Sequence, residues 1–306
     1  PQGHFTATDQ FVLRQAEKAQ PAFAPKGTLT LEADDSRIVA KGRQISFSLD
    51  RATANVESLQ IAGREMFAGG FGFRPIVVRA FTDNDHGCKD DVTLAGWMDP
   101  VAEVSTDAQL LEGNTQAEIT ASYTLKMGAT LTLTYTIGAD GSCHVGYAYQ
   151  GCEGAPDIPR LGIRFRTPLN YGDRFTWYGR GPQENYCDRS KGTFIGLYTA
   201  SALDKIYPYV RPQETGHHTD TRRLEIPGRR IDADNLMEFN ALRCSFEDLN
   251  LGQQKHISDI VTRDYVEVTL DLRQMGLGGF NSWGAHPSEQ YLIHSNQDYN
   301  WGFTIR

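Results

Sequence analysis

In four separate stretches apolar and polar residues alternate with a strict period of two. Ile45, Phe47 and Leu49 alternate with Ser46 and Ser48, and Leu131, Leu133, Tyr135 and Ile137 with Thr130, Thr132, Thr134 and Thr136. Ile163 and Phe165 alternate with Arg164 and Arg166, and Val266, Val268 and Leu270 with Glu267 and Thr269. Successive side chains of a strand point to opposite faces, so each stretch offers one face to a core and one to solvent. Gly138-Ala139-Asp140-Gly141, between two such runs, reads as a hairpin loop. Sustained helical periodicity is nearly absent, and no internal repeat of 20–50 residues is visible. The pattern predicts an all-β fold, a sandwich of large antiparallel sheets.

A length of 306 residues accommodates one large all-β domain with a short appendage. Gln15 to Lys26 is polar, Ala/Pro-containing and without alternation, as an interdomain linker would be. Ahead of it, Gly3–Leu13 is a strand-like piece with no partner sequence of its own. Residues 1–26 are therefore expected to be a trailing strand of a preceding domain plus a linker, and residues 27–306 the main domain. Pro1-Gln2-Gly3-His4 has neither an initiator Met nor the features of a secretory leader, so any targeting signal is expected to lie elsewhere. No apolar run approaches the ~20 residues that span a bilayer. A net charge of −8 argues against a nucleic-acid partner or an anionic membrane surface. Neutral, hydroxyl-rich ligands are compatible with it. The five cysteines are odd in number and include no CxxC, which suggests neither a disulfide framework nor a zinc site. Cys143 and Cys152 are near enough for a strand-to-strand pair, but free thiols are the expectation.

Five places combine Gly, aromatic and paired polar residues beyond what plain sheet requires: Arg79–Gly87, Trp97, Trp177–Arg189, Tyr207–Arg223 and Met275–Trp283. In Trp177–Arg189 the cluster Gln183-Glu184-Asn185 suits sugar hydroxyls, and it suits equally the backbone groups of a buried loop. Asp83 and Asp85 are expected in Asx-type turns, because a Ca²⁺ or Na⁺ site needs more oxygen ligands than this run supplies. His217 and His218, next to each other, point to opposite faces of a strand and are expected to be solvated or to anchor a loop, with no metal ligated. The glycines of Met275–Trp283 lack a strand-to-helix context, so they form a turn presenting Phe280, Asn281, Ser282 and Trp283 rather than a dinucleotide loop. A tryptophan there can stack on the apolar face of a sugar or cap the core. No GxSxG, no Cys/His pair and no identifiable pair of closely spaced carboxyls appears, so no catalytic residue is assigned.

WYGRGPQENYCDR at 177–189 resembles the WxGxGPxENYxDR signature of the C-terminal small-chain region of family 2 β-galactosidases. RAFTDNDHG, YVRPQETGHHTDTR and MGLGGFNSW are similar, in the same order, to further motifs of that region, with Phe81 standing at a position usually held by Pro. The resemblance spans nearly the whole chain. It implies the galactose-mutarotase-like supersandwich fold, two large antiparallel sheets face to face, with Gly3–Leu13 closing an immunoglobulin-like domain before it. It implies a parent enzyme that hydrolyses terminal β-D-galactosides with retention, with its catalytic glutamates in a barrel domain outside this chain. Trp283 corresponds to a tryptophan lent to that barrel's active site as a sugar-stacking platform. Asn281, Glu184, His217 and Glu214 are secondary candidates. The implied partners are a β-galactoside and the barrel and other domains of a homo-oligomeric parent. The implied cofactors are Mg or Na ions in the parent and none in this stretch. Two further readings stay open. One is a stand-alone carbohydrate-binding module. The other is an aldose mutarotase with His217, His218 and Glu214 as its acid and base groups.

Overall fold

The structure, a computed structural model, describes residues 3, 7–14, 26–252, 255–281 and 284–306. The chain first builds an antiparallel sheet of five strands, β1 (Leu29–Ala33), β2 (Arg37–Gly42), β3 (Ile45–Asp50), β4 (Val56–Ile61) and β5 (Arg64–Glu65), paired in sequence order. A sheet of twelve strands follows. Its members are β6 (Arg74–Ile76), β7 (Val101–Leu110), β8 (Gln116–Leu125), β9 (Thr130–Gly138), β10 (Cys143–Gln150), β11 (Arg160–Pro168), β12 (Arg174–Gly181), β13 (Phe194–Ser201), β14 (His218–Ile226), β15 (Arg229–Leu242), β16 (Tyr265–Gln274) and β17 (Tyr299–Ile305). The main path runs β13-β12-β14-β15-β17-β10-β9-β8-β7, and every pairing is antiparallel. β15 forks. Its first part pairs with β17 and its last part with β16, which continues through β11 to β6.

The two sheets share a core. Phe47 of β3 packs on Tyr135 of β9 with ring centroids 5.1 Å apart, and Phe73 meets Phe165, Phe303 and Tyr135 at 5.2, 6.1 and 6.2 Å. The alternation of β3 and β9 holds as read, with Ile45, Phe47, Leu49, Leu131, Leu133, Tyr135 and Ile137 all buried. The hairpin at 139–142 joins β9 to β10 as expected.

β11 and β16 depart from the expected pattern, since both of their faces are covered. Arg164, Glu267, Thr269 and Asp271 are buried along with the apolar residues between them. Charge pairing makes this tolerable, because a buried charge is stable only when paired and hydrogen-bonded. Arg164 bonds both oxygens of Glu247 at 2.6 and 2.8 Å, and Glu267 at 2.5 Å. Glu247 lies on the short helix Phe246–Leu249, far along the chain from β11.

Helices are few and short. α1 (Asp83–Cys88) replaces the turns expected around Asp83 and Asp85. A capping box fixes its start, with Thr82 and Asp85 exchanging side-chain-to-backbone bonds at 3.1 and 2.8 Å. Lys89, at φ 68°, breaks the helix and leads into α2 (Asp90–Thr93). No helix among the described residues is long and apolar enough to cross a membrane. All five thiols are free, and the considered Cys143–Cys152 pair is absent: Cys143 is buried at the start of β10 and Cys152 lies beyond its end. Within the expected 1–26 appendage, residues 7–14 carry no strand, and most of the linker 15–26 is outside the described residues. Gln10 nonetheless bonds the edge of β13, donating to Ile195 O at 2.8 Å and accepting from Ile195 N at 2.7 Å.

Candidate functional site

Four of the segments singled out in the sequence meet at one place, the base of the Gly-rich loop after β16. Arg79 is fully buried and forks around two anchors. One is the carboxylate of Asp85, bonded at 3.1 and 2.6 Å; the other is the pair of carbonyls of Met275 and Gly276, at 2.8 and 3.0 Å. Asn84 Nδ2 donates to Leu277 O at 3.1 Å. From the signature loop, Asp188 accepts from Gly278 N at 2.9 Å and Cys187 Sγ donates to Gln274 O at 3.4 Å. Glu214 N, in the third segment, donates to Ala80 O at 3.1 Å.

The signature loop is itself braced, as the structural reading of Gln183-Glu184-Asn185 expects. Asn185 Oδ1 accepts from Thr219 N and Oγ1 at 2.9 and 2.7 Å, while its Nδ2 donates to Gln183 O at 3.0 Å. Glu184 accepts from Gly216 N at 2.7 Å and Thr215 Oγ1 at 3.0 Å, and also bonds Arg189 and the Tyr209 hydroxyl. Trp177 is a core residue whose indole N–H donates to Arg180 O at 3.0 Å. Trp97 is likewise buried, with its N–H on Asp157 O at 3.1 Å.

The histidine pair anchors loops but is not solvated, because both rings are fully buried. His217 sits between two acceptors, Asn240 Oδ1 at 2.6 Å and Glu238 Oε2 at 2.8 Å. The Asn240 amide is oriented by its own donation to Glu214 and Thr215 O, at 2.8 and 2.7 Å. Burial alone would depress His217, yet the bond to Glu238 and the nearby carboxylates outweigh it and raise its affinity for the proton. His218 moves the other way: burial pushes it well below the usual histidine range, and the charges of Lys205 and His217 add to that. Glu214 is buried too, and although burial opposes ionisation, Arg160 at 2.9 Å, His217 and the amides of Gln274 and Asn240 keep it ionised. Asp271, also fully buried, is pushed up to about 7 by burial against the pull of Arg160 and His217. Glu214 and His217 therefore face each other inside a closed polar network, not a sugar-sized opening.

Above the braced base the loop opens. Gly278 and Gly279 take φ of 65° and 74°, and Phe280 beyond them is 75% exposed. Asn281 is exposed, and its Oδ1 accepts from Ala285 N at 3.3 Å, which closes the loop on itself. Ser282 and Trp283 lie outside the described residues.

Sequence reasoning missed an open cleft of about 950 Å³ beside the signature loop. Tyr207, Tyr209 and Tyr291 line it together with Glu184, Arg189 and Lys205. The signal was the run Tyr207-Pro208-Tyr209, two aromatics around a Pro with no strand to bury them; their rings lie 4.7 Å apart.

The sequence pattern of the family described as β-galactosidase small chain matches residues 41–305. A β-galactosidase of Priestia megaterium is 31% identical over 315 residues, covering 99% of this chain and 30% of that protein. One from Streptococcus thermophilus is 30% identical over 319 residues, covering 100% of this chain and again 30% of that protein. The chain thus spans about 30% of the length of these curated relatives. Among solved structures, a putative aldose 1-epimerase of Escherichia coli aligns with a TM-score of 0.47 at 9% identity, over 91% of this chain and 98% of that one. A galactose 1-epimerase of Lactobacillus acidophilus aligns with a TM-score of 0.42 at 10% identity, over 92% of this chain and 98% of that one.

Proposed function

The chain belongs to the β-galactosidase small-chain family, and from that premise we propose that it is a non-catalytic part of a retaining β-galactosidase. In this reading its Gly-rich loop reaches into an active site built by a barrel domain elsewhere in the parent enzyme, and Trp283 stacks on the sugar there. One observation carries the proposal. Two other motif segments hold the base of the loop, Arg79 by buried bonds and Asn84 and Asp188 by more exposed ones, while its tip projects Phe280 into solvent. A rigid base under an exposed aromatic tip is the construction of a group lent to a neighbour, because a lent side chain must be positioned before the neighbour arrives. Residues 1–26 are assigned to the preceding domain and its linker, 27–306 to the small-chain domain. The exposed run Phe11-Val12-Leu13 supports an apolar contact with that neighbour.

The purified 306-residue chain is expected to give no turnover of an aryl β-galactoside, and activity is expected to return when the remainder of the parent enzyme is supplied as a separate polypeptide. Trp283→Ala in the full-length enzyme should lower kcat/KM by about tenfold or more, the equivalent of ~1.4 kcal/mol of lost transition-state contact. Turnover by the chain alone overturns the proposal.

The cleft favours a second reading, a carbohydrate-binding module that works without the barrel. Its tyrosines offer stacking faces, and Glu184 and Arg189 offer hydrogen-bonding groups. Calorimetric titration of the chain with galactose and lactose separates the two: saturable binding lost in Tyr209→Ala favours the module, and no heat favours the first reading.

A further inference from the structure

At the far end of α1 the chain path gathers a cluster that plays no part in the braced loop base. Cys88 ends α1, Lys89 reverses the chain at φ 68°, and Asp90 begins α2, so residues 88 and 90 turn to one side. His286 arrives from the segment that follows the Gly-rich loop. That segment is seated on α1 backbone to backbone, since a Cβ on Gly284 would lie 2.4 Å from Gly87 O. The Cys88 thiol, a carboxylate oxygen of Asp90 and an imidazole nitrogen of His286 all lie within 4.8 Å of one another.

Asp90 is only 4% exposed. Among the described residues its one ion-pair partner is His286, with Nδ1 at 3.3 Å, and Thr93 Oγ1 bonds the same carboxylate at 3.3 Å. No Lys or Arg pairs with it among the described residues, and the Cys88 thiol hydrogen-bonds the same carboxylate, so the sulfur and the oxygen are already in contact. One sulfur, one nitrogen and one oxygen donor make a borderline-soft set. Hard cations such as Mg²⁺ and Ca²⁺ take oxygen alone, whereas Zn²⁺ takes all three donor types in a tetrahedron. With bonds of about 2.0–2.3 Å, the ligand atoms of such a site sit roughly 3.3–3.8 Å apart. Closing the present spread takes a movement of about 1 Å, within reach of the exposed His286 ring.

We propose that Cys88, Asp90 and His286 form a three-ligand site for one Zn²⁺, with water in the fourth position. The ion fastens the segment Gly284–Ser288 to α1 and α2. The spacing hides this site in the sequence, because two ligands stand two residues apart and the third lies near the other end of the chain.

The test is titration of the chelator-stripped 306-residue chain with Co²⁺, a spectroscopic substitute, followed by Zn²⁺. The expected result is about one equivalent bound, with a thiolate-to-cobalt charge-transfer band that Zn²⁺ abolishes. His286→Ala, at an exposed position, should fold normally by circular dichroism and bind at least about tenfold more weakly, since even partners of metal ligands are worth 10–100-fold. Cys88→Ser should lose the band. No bound equivalent in the unaltered chain, undiminished affinity in His286→Ala, or a band that survives Cys88→Ser each overturns the proposal.

Discussion

Arg79 and Asp85 share two hydrogen bonds, at 3.1 and 2.6 Å, and neither side chain reaches solvent. Removing one partner of a buried pair strands the other charge, which costs about 3–5 kcal/mol. Asp85→Ala should therefore lower the unfolding free energy by that amount, read from urea denaturation, and Asp85→Asn, which still accepts a bond, by less. Equal, small effects from both would show that the pair does not anchor the loop.

Glu184 gathers Gly216 N, Thr215, Arg189 and Tyr209 on one carboxylate. Glu184→Ala is expected to cost about 2–4 kcal/mol, because a buried amide and a hydroxyl lose their acceptor. Measurement is by equilibrium unfolding.

Lys205 reports the same carboxylate through its own titration. Burial lowers this amine to about 8, and the charge of Glu184 opposes the shift. Amine labelling followed by mass spectrometry should be half-maximal near pH 8 in the unaltered chain. In Glu184→Gln the midpoint should move lower, and a midpoint that stays put separates the two groups.

Acid sensitivity should come in part from His218. Its folded value lies well below the ordinary 6.5, so the stability it contributes is complete above pH 6.5. That contribution drains as the pH falls towards the folded value, since only the unfolded chain takes up the proton. His217 has the opposite sign: raised in the fold, it contributes fully below 6.5 and loses that contribution as pH climbs through its folded value. His218→Gln should flatten the acid limb of the stability profile by up to about 1.4 kcal/mol per pH unit. Urea midpoints measured from pH 7.5 down to 4.5 check this, and an unchanged slope refutes it.

Gly284 has φ 76° and no room for a methyl group against Gly87 O. Gly284→Ala should displace the loop at a local cost of about 1–3 kcal/mol. Faster hydrogen exchange at Gly276 and Gly278, with the global unfolding free energy lowered by no more than that cost, is the expected signature.

The alternation of Ile45-Phe47-Leu49 and Leu131–Ile137 carried the sheets plainly, because burial on one face leaves a local trace. On β11 and β16 the trace misled: Arg164 and Glu267 look like solvent-facing residues until Glu247, brought in by a distant helix, covers them. Six-residue α1 is too short for a helical period, and Asp85, read as a turn residue, instead closes a capping box with Thr82. For the histidines, alternation correctly set them on different neighbours, His217 against Tyr186 and His218 against Trp177, but their burial depends on loops that no local pattern announces. Donor and acceptor chemistry left two uses open for Gln183-Glu184-Asn185, and only the positions of Gly216, Thr215 and Thr219 show Glu184 and Asn185 to be a brace. What no spacing could reveal is convergence: Arg79 and Met275 meet across a gap of 196 positions.

β17, the last strand in the chain, lies inside the large sheet, between β10 and β15. During synthesis, β10 and the first part of β15 must therefore wait, each with a ladder of unpaired amides, until residues 299–305 leave the ribosome. Exposed edges of that kind recruit other chains. The nascent protein is thus most prone to aggregate while residues 299–305 are still inside the ribosome, and losing those residues would split the sheet along its middle rather than trim its rim.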